Sequence, residues 1–165
     1  MALRLPVMAV AAEHLVMGSL MRRNILTYKA PEGNEGYDLI GIHPDPRHNA
    51  SNDHSSQVRV QVKSRYQTDS DRGFPIKENK LDAFDFLVVV FLNIGEFARG
   101  KDGSTGAAPT EYYTLTPEFV RKHHDTSSSW QKVKLRGLDS EISGVRDELG
   151  FELIANALGV PPVTR

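Results

Sequence analysis

The segment 86–92, Phe-Leu-Val-Val-Val-Phe-Leu, is apolar at every position and no longer than a strand. A half-buried strand alternates, because successive side chains point to opposite faces, whereas an unbroken apolar run describes a strand covered on both. A strand of that kind needs partners at its sides and a layer on each face. It therefore predicts an α/β chain, a mixed sheet with helices packed above and below. The stretch 57–64, Gln-Val-Arg-Val-Gln-Val-Lys-Ser, is a strand of the other kind. Val58, Val60 and Val62 go inward, so Arg59, Gln61 and Lys63 project together from the opposite face, with Gln61 and Lys63 at a fixed two-residue spacing.

With 165 residues the chain has room for one domain with a sizeable core, and 39% hydrophobic residues place it among ordinary globular chains. It has no cysteine, which rules out a disulfide framework and a thiolate metal site and fits a reducing cytoplasm. Residues 1–12 carry one arginine and a short apolar run, as a secretory signal does, but Pro6 interrupts the run and it flows into a helix. No stretch approaches the roughly 18 apolar residues that span a bilayer, so no membrane partner is expected. A net charge of −1 gives no global attraction to a polyanion, and any nucleic-acid binding must rest on a local patch.

Taken in order, residues 7–23 predict a helix with Val16, Met17, Leu20 and Met21 as its apolar stripe. Glu13 shares that side, because i+3, i+4 and i+7 from it are Val16, Met17 and Leu20. Either it is buried, where it needs a cation, a metal or a proton, or it lies at an exposed first turn where an acid suits the helix dipole; the sequence supports both. Residues 25–29 and 37–42 predict two strands, the second interrupted by Asp38. The segment 43–56, rich in His, Pro, Asn and Ser, predicts a long loop between antiparallel strands. Its His43, Asp45, His48, Asp53 and His54 lack the short, regular ligand pairs of a zinc site. After a charged, turn-rich 64–75, residues 76–84 predict a short helix. Gly95 to Asp102 falls short of a phosphate-binding loop, since Asp102 stands where a hydroxyl is needed and no helix follows; it predicts a hairpin loop. Residues 111–115 return as a strand, and Thr116-Pro117 opens a helix to about His124, with Thr as N-cap and Pro at the first position. Arg121, Lys122, His123 and His124 at its end suit the dipole and could equally face phosphate. Residues 130–135 predict a short basic strand, and 141–149 and 151–158 two helices stopped by Gly159 and Pro161.

The order of a helix with Glu13, two strands with Asp38 on the second, a strand with Gln61-Val62-Lys63, a helix and a buried strand resembles the PD-(D/E)XK nuclease superfamily. It is most similar to small bacterial and resolvase-like members with a Gln-x-Lys variant motif. The resemblance covers residues 9–92 and implies a restriction-endonuclease-like α-β-β-β-α-β core. The strand and helices of 111–158 would pack on it within a single domain, 1–165. No Pro-Asp pair precedes the strand acid, where Gly36-Tyr37-Asp38 stands; a literal Pro44-Asp45 lies in the loop beyond.

What the resemblance implies is a magnesium-dependent nuclease acting on DNA in repair, restriction or defence, with manganese able to substitute. Asp38, the amide oxygen of Gln61, the backbone carbonyl of Val62 and Glu13 would hold the metal. Lys63 would orient water or stabilise the transition state. A neutral Gln61 where an acid is usual subtracts one negative charge, so the alternative is a weak or inactive nuclease-fold module that binds nucleic acid or a protein. Arg59, Arg65, Lys77, Lys80, Arg121 and Lys122 are the candidates for phosphate contact. A homodimer is an expectation from the resemblance alone.

Overall fold

The computed structural model describes residues 7–68 and 72–163. The parts of the sequence readings that concern residues 1–6 and 69–71 fall outside these. The chain opens with α1 (Met8–Arg22), followed by β1 (Leu26–Lys29), β2 (Leu39–Ile42) and β3 (Gln57–Arg65). A short β4 (Gly73–Pro75) and a one-turn 3₁₀ helix (Glu78–Lys80) lead to β5 (Phe86–Phe91) and β6 (Glu111–Leu115). The remainder is α2 (Pro117–Lys122), β7 (His124–Asp125), β8 (Lys132–Lys134), α3 (Asp139–Ile142) and α4 (Asp147–Leu158). The architecture is mixed α/β, with a central mixed sheet flanked by helices. That sheet has the order β1-β2-β3-β5-β6, and only the β3–β5 pair is parallel.

The apolar run at 86–92 supplies β5, an interior strand between β3 and β6, and every residue of β5 is buried. Its Val88 and Val90 join Val58, Val60 and Val62 of β3 in a core closed by Ala12, Val16 and Leu20 of α1 and Phe151, Ile154 and Leu158 of α4. Leu87, Val89 and Phe91 face the other way, into a second core. That face is covered by α2, α3, and a small antiparallel sheet of order β4-β8-β7, through Phe74, Val120, Val133 and Ile142.

Several local expectations shift. The stripe of α1 is Ala12, Val16 and Leu20, each four residues on from the last, so Met21, one position out of step, is 48% exposed. Residues 76–84 form no α-helix. Their buried anchors Ile76, Leu81 and Phe84 are spaced by five and three, and Leu81 and Ala83 donate only to carbonyls three residues back. The break expected at Gly150 falls instead before Asp147, and Gly150 lies inside α4. A Cβ there would stand 2.4 Å from the Val145 carbonyl oxygen and 2.6 Å from Thr114 Oγ1, so this glycine serves close packing and does not end a helix. The helix opened by Thr116, whose side chain accepts from the Phe119 N–H, stops at Lys122 because His124 and Asp125 pair with β8. The 43–56 loop and the hairpin loop after β5 occur as expected.

Candidate functional site

The site is created by a step in the sheet. β2 begins only at Leu39, opposite Val60, so beyond Val60 β3 runs on without it to Arg65, beside β5. Along β3 the carbonyls of Arg59 and Arg65 accept from Asp85 and Leu92 on the β5 side, and that of Val60 accepts from the Asp38 N–H on the β2 side. Backbone groups alternate sides along a strand, so the N–H and C=O of Val62 face the gap that β2 leaves. Asp38, one residue before β2, fills part of it. Its Oδ2 accepts from the Val62 N–H at 2.8 Å and from Gln61 Nε2 at 2.6 Å. Among the described residues, the Val62 carbonyl receives from side chains a single long approach, from Gln61 Nε2 at 3.4 Å. Asp38 Oδ1 and Gln61 Oε1 take no hydrogen bond among the described residues.

Burial pushes the Asp38 carboxyl above the usual carboxylate range, and the negative charge of Glu13 adds to the effect. The Val62 N–H and the charges of Lys63 and Lys29 work against it without reversing it. Lys63 lines the same cleft as Asp38 and Gln61 and forms no ion pair among the described residues. Glu13 is placed differently. It sits in the second turn of α1, on the sheet face opposite Gln61 and Lys63, which pair with Leu87 and Val89 of the second core. Its carboxylate, 18% exposed, is bound to Lys29 Nζ at 2.8 Å. The first-turn reading therefore gives way to a partly buried acid with a cation, and that cation is a lysine on β1.

The cleft has a volume of about 560 Å³ and is walled by Pro75, Ile76 and Phe84, with Lys77, Lys80 and Trp130 around it. Gly36 lies along it at φ +109°, and a Cβ there would come within 2.4 Å of the Ala83 Cβ, so the chain can pass this close only as glycine. Sequence reasoning missed both Gly36 and Trp130 as wall residues, the latter having been expected to begin a short basic strand. The signal for Trp130 was the sole tryptophan of the chain standing in a serine-rich turn.

The basic candidates do not gather into one patch. Arg59 grips Asp85 with two hydrogen bonds at 2.9 and 3.2 Å, Arg121 pairs with Asp82, and Lys122 pairs with Glu141 at 2.9 Å. Lys80 reaches Glu35 at 2.5 Å, and Arg65 donates to the Gly73 carbonyl at 2.9 Å. Lys77 lines the cleft without an ion pair among the described residues. In the 43–56 loop, Asp45 pairs with Arg47 and the rings of His43 and His48 stack at 3.9 Å. No group of three or more His, Cys, Asp or Glu side chains suited to a metal occurs among the described residues. Any cation at the step would draw on Asp38, an amide and a carbonyl. These all-oxygen donors fit magnesium or manganese, which need only one or two carboxylates and otherwise keep water or substrate oxygen.

No known protein family matches the sequence, and no curated protein does. Among solved structures, a bacterial homing endonuclease aligns with 90% of this chain and 91% of its own, with a TM-score of 0.48 and 15% identity.

Proposed function

We propose that the protein is a divalent-metal-dependent nuclease that hydrolyses phosphodiester bonds in DNA, in repair, restriction or defence. The observation that carries this reading is the step in the sheet, where the Asp38 carboxylate, the Gln61 amide and the Val62 carbonyl converge beside Lys63. Held by Asp38, Gln61 Oε1 and the Val62 carbonyl, a magnesium or manganese ion would supply positive charge for the phosphoryl oxygens and lower the pKa of water. Asp38, raised by burial, is a carboxylate better satisfied by a cation than by the solvent it has lost. Gln61 now meets Asp38 through its amide nitrogen, the only end of an amide that approaches a carboxylate oxygen at 2.6 Å without repulsion. Turning the amide over presents Oε1 instead. The ammonium of Lys63 holds a water or a phosphoryl oxygen in the cleft and stabilises the charge that develops there. Glu13 deepens the negative potential at Asp38 from the opposite face of the sheet.

A second reading, a module that binds nucleic acid without turnover, is favoured by the neutral Gln61 and by the internal pairing of Arg59, Arg121 and Lys122. Supercoiled, linear, single-stranded and branched DNA, each incubated with magnesium or manganese and then with chelator, separates the two. Metal-dependent cleavage of at least one substrate, reduced roughly 100-fold or more in Lys63→Ala and lost in Asp38→Asn, is the expected result. Substrates left equally intact by wild type and variants, but bound, transfer the conclusion to the second reading. Absence of binding removes both.

A further inference from the structure

We propose that the cleft receives an unpaired nucleotide whose base stacks on the indole of Trp130, so that the protein acts on single-stranded or locally opened nucleic acid. This rests on the nuclease reading and specifies its substrate.

Three observations lead there. The first concerns Trp130 itself. Its side chain is 75% exposed, yet its backbone is anchored: its N–H donates to Ser128 Oγ at 3.2 Å. Next to it, the Gln131 carbonyl accepts from the Ile76 N–H at 3.0 Å and Gln131 Oε1 accepts from the Glu78 N–H at 2.7 Å. An indole presented to solvent from a turn anchored through its backbone is an aromatic surface whose position beside the cleft is set in advance. The second is position. Trp130 lines the same cleft as Asp38, Gln61 and Lys63, and the intervening wall of Pro75, Ile76 and Phe84 is apolar. A volume of about 560 Å³ is that of a site for one small ligand, not a channel for a duplex. The third is charge. Duplex binders draw their affinity from cations facing successive phosphates, and here Arg59, Lys80, Arg121 and Lys122 are engaged with acids of the same chain. Lys63 and Lys77, without ion pairs among the described residues, suffice for a phosphate or two beside the cleft. Stacking of a base on an aromatic ring supplies the binding that so sparse a set of cations lacks.

Because the chain has a single tryptophan, its emission reports on this residue alone. The full chain in chelator is titrated with a short oligothymidylate, the matching oligouridylate, a duplex of equal length, and an oligomer of abasic deoxyribose phosphates. Saturable quenching by a pyrimidine oligomer, with the abasic strand and the duplex much less effective, is expected; the stronger of the two pyrimidine oligomers identifies DNA or RNA as the source. Affinity measured by anisotropy of a labelled strand should fall roughly ten-fold to one-hundred-fold in Trp130→Ala and recover in Trp130→Phe. Equal binding of the abasic and pyrimidine strands, or equal affinity of wild type and Trp130→Ala, overturns the proposal. Quenching without metal-dependent cleavage of any substrate would instead sink the nuclease reading and leave the stacking site standing. Lys63-dependent cleavage of duplex unaffected by Trp130→Ala would do the reverse.

Discussion

At Asp38 one carboxylate oxygen holds two donors while burial works against its charge, so the site is assembled at a cost to the fold. A carboxyl whose pKa is raised by folding favours the folded state while protonated. That contribution is present below the pKa of the unfolded chain and is lost as pH rises through the folded value. Asp38→Asn should therefore raise the thermal midpoint of the metal-free protein at neutral pH, while leaving it unchanged near pH 3, and should abolish cleavage. Differential scanning fluorimetry across pH checks the first part. Gln61→Glu sets a second carboxylate at the position now 2.6 Å from Asp38 Oδ2. It should lower the metal-free midpoint at neutral pH and enlarge the stabilisation by magnesium, because two like charges there ionise together only around a cation. A variant whose midpoint shifts equally with and without magnesium would count against metal at the step. At this scale the sequence was legible where one strand set the spacing, as with Gln61 and Lys63. It was not legible for Glu13, whose partner Lys29 lies on a strand that packs against the helix only in three dimensions.

Among the elements, β3 and β5 followed directly from their patterns, since alternation and an unbroken apolar run are signals contained within a few residues, whereas β2 starts at Leu39 and leaves Asp38, expected on the strand, just outside it. The C-terminal helices show where such reasoning stops. Gly150 looked like punctuation but is a contact point against Val145 and Thr114, and the real break is made by Asp147, at φ +48°, whose Oδ1 accepts from the Tyr112 N–H. Gly150→Ala should consequently destabilise the protein by about 1–3 kcal/mol in urea denaturation, although alanine is the better helix former. An unchanged or stabilised protein would mean that the helix, not the contact, sets the choice of residue. The covering layer of the second core was legible only in part, in α2 and in β8, which lies within the short basic strand expected at 130–135. Its strands β4 and β7 have three and two residues, too few for any period to show.

For the molecule as a whole, β5 supplies fully buried residues to both cores, Val88 and Val90 on one side and Leu87, Val89 and Phe91 on the other. Truncation there should be felt through both. Leu87→Ala, fully buried in the wild type, is expected to cost about 2–5 kcal/mol, measured by denaturant unfolding with two probes that should lose signal together. Separate transitions for the two probes would show that the faces fold independently.

The step between β2 and β3 also makes one backbone proton unusual. The Val62 N–H is held by the Asp38 side chain where a neighbouring strand would normally take it. Its amide resonance should therefore move with the titration of that carboxyl and move again when a cation takes the carboxylate's negative charge. A nitrogen–proton correlation spectrum of the unmodified protein would read the proton and the metal at Asp38 from a single peak.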